Sequence, residues 1–339
     1  MKRITLILLI ILTAISYISI SLFPTNLSMQ SSTDNVENKL EALEKNLPDI
    51  LAKNPILYIE YSILAILIIL SILTGLIILG WAVNKKIHKK DIYRFSVPEF
   101  KIPWGVKELI EVVVLFLFLN ISFSWLSSSV IKYLGLEGTT KRFIIFGNLL
   151  LVEFLIFLAV FYYIFIKPRT NLNIVRKWKE NLWYNLKFTI GSYLGAVPLI
   201  IVMFSISVIV ANYFNYKSEP HPLITVILKT DSLIELFLIL LFAGLLGPII
   251  EEVFFRLFLL GIFKNYFSVF ISIFLTAVIF ALLHLSIVGF LPIFTLGLLL
   301  AFVYQKTKNI LYPIVIHALH NGILLCVALM LKAGIRAAS

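Results

Sequence analysis

The chain has 339 residues, of which 60% are hydrophobic and only 14% charged, and its mean hydropathy is +1.00. These values exclude a soluble globular domain and point to an all-α, polytopic transmembrane bundle. The net charge of +11 does not signal nucleic acid, because the lysines and arginines fall mostly in short loops beside apolar runs, where orientation in a membrane accounts for them.

Lys2 and Arg3 precede an apolar run from Ile4 to about Phe23. It reads either as a signal peptide, with Ser19-Ile20-Ser21 as a small-x-small cleavage site, or as a first span; its length favours an uncleaved anchor. From Pro24 to Lys53 the chain is polar, with acids and lysines spaced as in a short amphipathic helix outside the membrane. A second span runs from about Ile56 to Val83 and ends on Lys85, Lys86, Lys89, Lys90 and Arg94, which places that end, and with it the amino terminus, in the cytoplasm.

Pro98, Pro103 and Trp104 mark an interfacial elbow before a third span, from about Val106 to Ile131, and a fourth from about Phe143 to Ile166. Lys167, Arg169, Arg176, Lys177 and Lys179 follow, again cytoplasmic. Trp178, Trp183 and Tyr184 among them fit either a helix lying in the headgroup layer or the aromatic belt of the fifth span, from about Phe188 to Phe214. Gly191, Gly195 and Pro198 in that span read as close packing or a kink.

In the last third, apolar runs from about Leu233 to Phe263, Phe267 to Leu285, Ile287 to Tyr304 and Ile310 to Leu331 are joined by very short turns, with Lys264, Lys306 and Lys308 on the cytoplasmic side. About nine spans result. The division is a scaffold over 1–229, a helical core over 230–331 and a short tail over 332–339, with no internal repeat. Lone Cys326, in an apolar helix, reads as packing. A bacterial plasma membrane fits this composition.

Most of the buried ionisable groups lie in that core. Glu251, Glu252 and Arg256 sit in Gly-Pro-Ile-Ile-Glu-Glu-Val-Phe-Phe-Arg, from Gly247 to Arg256. An ionisable group near a bilayer centre costs on the order of 2.5–3.5 kcal/mol, so three within six positions require partners or a wet cavity. Pro248 suits the first turn of a helix that begins here and would hold both acids near its positive end. Glu252 and Arg256, four apart, share a face and form an ion pair, while Glu251 points about 100° away and is the freer carboxylate. The plain alternative is a polar cluster that only pins helices together.

Phe280 and His284 are also four apart, as are His317 and Asn321, with His320 off the line of the latter pair. Taken singly, each histidine is more often a hydrogen-bonded core residue or an interhelical lock. Together with a free glutamate they suffice for peptide hydrolysis. A carboxylate helped by an imidazole takes a proton from water and returns it to the leaving amine, while the remaining imidazole and amide donate to the oxyanion. No His-Glu-x-x-His motif is present. This spacing suits both a metal-free reaction and one divalent ion such as zinc held by Glu251, His284 and His317.

Glu251-Glu252-x-x-x-Arg256, Phe280-x-x-x-His284 and His317-x-x-x-Asn321, in this order, resemble the three-motif signature of the CPBP intramembrane protease family. That family contains the type II CAAX prenyl endopeptidases and bacteriocin-processing and immunity relatives, and the resemblance covers roughly Leu233 to Leu331. It implies an intramembrane endopeptidase acting on a membrane-associated peptide or protein tail. It also implies roles: Glu251 and His284 activate water, His317 and Asn321 stabilise the oxyanion, Glu252 and Arg256 hold the first motif in shape, and Phe280 shields or orients His284.

One geometric conflict stands in the sequence. Measured from the cytoplasmic lysines at a rise of about 1.5 Å per residue, straight helices place His317 roughly 14 Å deep, Glu251 roughly 20 Å and His284 roughly 25 Å. Tilt or a broken helix at Gly247-Pro248 would reconcile them. The competing functions are a transporter that uses the same groups as a proton relay, and a non-catalytic scaffold or immunity relative.

Overall fold

The computed structural model describes residues 30–87, 102–167, 182–216 and 222–338. The run from Ile4 to Phe23, the basic positions Lys89, Lys90 and Arg94, Pro98, and the loop from Arg169 to Lys179 with Trp178 lie outside the described residues. Among the described residues there are ten helices and no strand. They are α1 (Gln30–Lys53), α2 (Pro55–Ile87), α3 (Val106–Leu134), α4 (Gly138–Phe161, extended by a π-turn over Tyr162–Ile166), α5 (Leu182–Tyr213), α6 (Pro222–Lys229), α7 (Leu233–Lys264), α8 (Val269–Leu282), α9 (Phe290–Thr307) and α10 (Leu311–Ala338).

Seven of them, α2, α3, α4, α5, α7, α9 and α10, are long and apolar enough to cross a membrane. They match the expected runs from Ile56 onward except one. The run from Phe267 to Leu285 yields only α8, whose 14 residues extend ~21 Å, short of a hydrocarbon core of about 30 Å. The apolar pattern continues past Leu282, but the backbone turns: Leu285 takes φ 50°, and the Ser286 hydroxyl accepts the Gly289 N–H at 2.9 Å. His284 thus lies in a turn rather than on a helix.

α1 is the expected amphipathic helix. It buries Leu43 and Ile50, two turns apart on one face, and packs on α10. α2 crosses α5 where Gly75 lies against Leu194 and Pro198, and Gly195 against Ile78, so these small residues serve close approach. Gly191 faces open space.

α7 is the axis of the core. Ser232 caps its start, accepting the Glu235 N–H at 3.3 Å. The helix then runs without a break to Lys264, carrying π-turns over Phe242–Leu246 and Val253–Leu259. The expected new helix at Pro248 therefore does not form, and no positive helix end is available to the two acids. The preceding π-turn is the reason: Gly247 N–H bonds Phe242 O, a widened turn that accommodates the proline without a chain break.

α4, α8 and α10 pack on α7, and α9 packs on α8, α5 and α10, with Phe255, Phe258, Phe280, Leu300 and Ile316 in the shared core. Two corrections concern the carboxy-terminal part. Residues 332–338 continue α10 rather than forming a tail, because Lys332 donates to the carbonyls of Ile227 (2.9 Å) and Thr230, and Arg336 pairs with Asp231. Cys326 is exposed on α10 rather than packed.

Candidate active site

The α10 helix starts where its sequence allows. Asn309 Oδ1 accepts the Leu311 N–H at 3.0 Å, and Pro313 occupies the first turn, where a missing N–H leaves no gap. His317 follows on the face turned to α7. Its Nδ1 lies 3.1 Å from Glu252 Oε1, and its Nε2 lies 3.9 Å from Glu251 Oε2. The carboxylate can only accept, so Nδ1 carries the proton.

Glu252 and Arg256 are both 0% exposed, with Arg256 Nε 2.7 Å from Glu252 Oε2 and Nη2 3.3 Å from Oε1. The expected pair is formed, and His317 makes it a triad. Glu251, one residue earlier, has a side chain 35% exposed, yet its Oε2 is buried with no hydrogen-bond partner. The two neighbours therefore differ as the helical angle required: one is saturated, the other is available. Gly247, one turn before, would bring a Cβ to 3.0 Å from Phe242 O, so its bare Cα serves the widened turn that precedes the two acids.

Phe280 links the second and third motifs. Fully buried, its ring lies 4.7 Å from the His284 ring and 5.6 Å, edge-on, from that of His317, and the Arg256 guanidinium sits 5.2 Å from its centroid. Because α8 ends at Leu282, the Phe280 carbonyl belongs to the last turn and lacks an intrahelical partner. His284 Nδ1 lies 2.6 Å from it and must donate, which leaves Nε2 with its lone pair.

Asn321 Nδ2 donates to Ala243 O at 2.8 Å, inside the first π-turn of α7. A carboxamide has two N–H groups, so one remains for other use. His320 faces elsewhere and meets the Tyr193 hydroxyl of α5 at 3.2 Å, a packing contact in line with its position off the motif face. The depth conflict narrows in this arrangement: α8 is short, α7 is widened twice, and both His284 and His317 lie against the Phe280 ring.

Among the described residues, no group of three His, Cys, Asp or Glu side chains is placed to hold a metal ion. Both histidines turn Nδ1 to protein acceptors, and Glu251, His284 and His317 do not form such a group. Sequence reasoning also missed two features. Arg142 of α4 pairs with the buried Glu235 at 3.0 Å, tying α4 to the start of α7. Glu153 of α4 is a half-buried acid inside a helix long enough to cross the membrane. The signal for Glu153 is a lone acid within the apolar run from Phe143 to Ile166.

Residues 233–323 match the family model for type II CAAX prenyl endopeptidase Rce1-like proteins. The putative membrane peptidase YdiL of Bacillus subtilis (strain 168) is 31% identical over 84 residues, which cover 25% of this chain and 34% of YdiL, so the match spans about a third of that relative's length. The membrane-embedded CAAX protease MroQ of Staphylococcus aureus (strain USA300) is 26% identical over 200 residues, covering 57% of this chain and 76% of MroQ. No solved structure matches. Over residues 233–323, which hold Glu251-Glu252, His284 and His317, this membrane-helical chain is thus similar to type II CAAX prenyl endopeptidase Rce1-like proteins.

Proposed function

We propose that the chain is an intramembrane endopeptidase that hydrolyses a peptide bond in a membrane-associated peptide or protein tail. The observation that carries this reading is the contrast between adjacent glutamates. Glu252 is bound by Arg256 and His317 and fully buried, whereas Glu251 is 35% exposed with a partnerless oxygen. A saturated carboxylate is structural; an unsaturated one with the His317 imidazole 3.9 Å away is a base.

In the reaction, Glu251, aided by His284 Nε2, takes a proton from water as the water oxygen bonds to the substrate carbonyl carbon. The carbonyl electrons move onto its oxygen, which accepts hydrogen bonds from His317 and Asn321. Collapse breaks the C–N bond, and the proton held by Glu251 goes to the leaving amine. His317 donates at Nε2 only as the imidazolium, since Nδ1–H is directed to Glu252; the Glu252 carboxylate offsets that charge. The favoured reaction uses no metal. The basic turns Lys264 and Lys306–Lys308 support a cytoplasmic site in a bacterial plasma membrane with the amino terminus on the same side.

The test compares peptides released from membranes of cells carrying the native chain, Glu251→Ala or His284→Ala at matched protein levels. Both variants are expected to lose the products by 100-fold or more, about the scale of general acid-base catalysis. Cleavage retained in either one overturns the assignment. Treating washed membranes with a chelator is expected to leave release unchanged; loss that zinc restores would overturn the metal-free route.

A further inference from the structure

α8 and α9 form a hairpin that stops short of the far side of the membrane. Its legs close tightly: a Cβ on Gly297 of α9 would stand 3.2 Å from Ala277 and from the Phe280 ring of α8. Measured from the turns at Lys264 and Lys306–Lys308, the 14 residues of α8 rise ~21 Å and the 18 residues of α9 span ~27 Å. α10 starts beside the same basic turn and rises ~32 Å from Leu311 to Lys332. There Lys332 donates to Ile227 O and Thr230 O, Arg336 pairs with Asp231, and Arg142 with Glu235, so a polar layer marks the far side. The turn of the hairpin, residues 283–289, ends ~5–11 Å below that layer.

The backbone of this turn does not satisfy itself. His284 and Leu285 donate their N–H groups to Ala281 O and Leu282 O at 3.2 and 3.1 Å, and Gly289 N–H reaches the Ser286 hydroxyl at 2.9 Å. The three N–H groups between them, of Ser286, Ile287 and Val288, donate to no carbonyl or side chain among the described residues. The described protein does not cover them either: no residue from Leu282 to Phe294 is buried, and Leu285 and Ile287 are 44% and 65% exposed. Non-helical backbone at membrane depth persists only inside protein or against water. Lipid tails accept no hydrogen bond, which leaves water as the partner of Ser286–Val288.

We propose that a water-filled recess opens from the far side of the membrane, opposite Lys264 and Lys306–Lys308, down to the 283–289 turn, and delivers water to His284. His284 lies two residues before Ser286, and its Nδ1 is committed to Phe280 O at 2.6 Å. Nε2 therefore keeps its lone pair for a water whose oxygen accepts from the N–H groups of the turn. The recess itself rests on the backbone of α8 and α9; its use as the source of the reacting water rests on Glu251 and His284 being the water-activating pair. A substrate that approaches from the side of the basic turns then leaves the path of the water open.

The experiment measures thiol labelling of the full chain in intact cells and in inverted membrane vesicles with a membrane-impermeant, positively charged methanethiosulfonate. Cys326 of the native chain is the control: it lies ~23 Å along α10 from Leu311, level with the turn, on an exposed stripe with Leu319 and Ile323. In a Cys326→Ala background, Ala337→Cys reports the far side and Asn265→Cys the side of the basic turns. Ser286→Cys, with Ile287→Cys as a second variant, is expected to react from the same side as Ala337→Cys and at least about tenfold faster than native Cys326, since the reactive thiolate forms in water and not in lipid. Labelling of neither variant, or only from the Asn265→Cys side, overturns the recess. So does native Cys326 reacting as fast as they do, which would mean that the bilayer ends at that depth. Ser286→Cys protein labelled from the far side is expected to lose release of Glu251-dependent peptides and to regain it when the adduct is reduced; full labelling with undiminished release overturns the delivery of water. If no released peptide depends on Glu251, the peptidase reading fails, and the labelling pattern still decides the recess.

Discussion

Removing one partner of the Glu252–Arg256 pair should destabilise the fold far more than altering the adjacent Glu251. Glu252 and Arg256 are 0% exposed and 2.7 Å apart. Their mutual attraction is roughly 6 kcal/mol at an effective dielectric of about 20, most of it offset by desolvation. A single substitution leaves the other charge buried without its counterion, which costs about 3–5 kcal/mol. For a chain of this size that corresponds to a fall in Tm of roughly 4–7 °C. Glu252→Gln and Arg256→Met should each show it, and the double variant should recover part of the loss because no lone charge remains. Glu251→Gln removes a charge whose Oε2 has no partner, so its Tm should stay within about 2 °C of native or rise. The assay is thermal unfolding in detergent micelles at one scan rate, followed by tryptophan emission. A Glu252→Gln protein as stable as native, or a Glu251→Gln protein that falls equally far, would refute the division of roles between the two acids.

Asn321→Ala should lower kcat about 100- to 1000-fold, as loss of an oxyanion donor does, with normal protein levels in the membrane; a change under tenfold in peptide release would remove Asn321 from that role. Gly297→Leu should destabilise by about 1–3 kcal/mol and also reduce cleavage. A Cβ at Gly297 already comes to 3.2 Å from Ala277 and from the Phe280 ring, so a larger side chain displaces the ring between the two histidines; a native Tm together with native cleavage would count against that contact. Trp104→Phe should cost about 0.5–1.5 kcal/mol, because the indole N–H donates to Phe258 O at 3.3 Å within the second π-turn, and the same Tm assay measures it.

The pairings within one helix were legible in the sequence because the helical angle alone determines them. Glu252 with Arg256, and Glu251 turned aside, follow from a step of 100° per residue, and the coordinates agree. His317 with Glu252, 65 residues apart, was not legible, since no local rule sets the depth at which α10 crosses α7. That depth depends on the two π-turns of α7 and on the early end of α8, and nothing in Phe-Ala-Gly-Leu-Leu or in the unbroken apolar run through Leu285 signals either. Hydropathy registers how apolar a segment is, not where its backbone turns, so α8 looked long enough to span. Glu153 was visible as a lone acid in a span, but its place depends on the register of α4 against α7, which contacts between helices supply.

The same register bears on why this site carries two adjacent glutamates. Glu252 neutralises Arg256 and accepts the Nδ1–H of His317, so the imidazolium required at the oxyanion is balanced without calling on the base. A single glutamate could not serve both functions: bound to Arg256 and His317 it would be too stabilised to take a proton from water, and left free it would leave a buried guanidinium uncompensated. Separating the functions onto consecutive residues uses the 100° step to send one carboxylate into the interior and leave its neighbour partly exposed. In the proposed reaction the charges of Arg256, His317 as imidazolium, Glu252 and Glu251 would sum to zero, which would leave no net charge for a low-dielectric interior to resist when the oxyanion forms and the proton passes to Glu251. A proton relay would use Glu251 rather than Glu252, whose carboxylate is fully buried against the Arg256 guanidinium at 2.7 Å, and ion flux in proteoliposomes that Glu251→Gln abolishes would favour that reading.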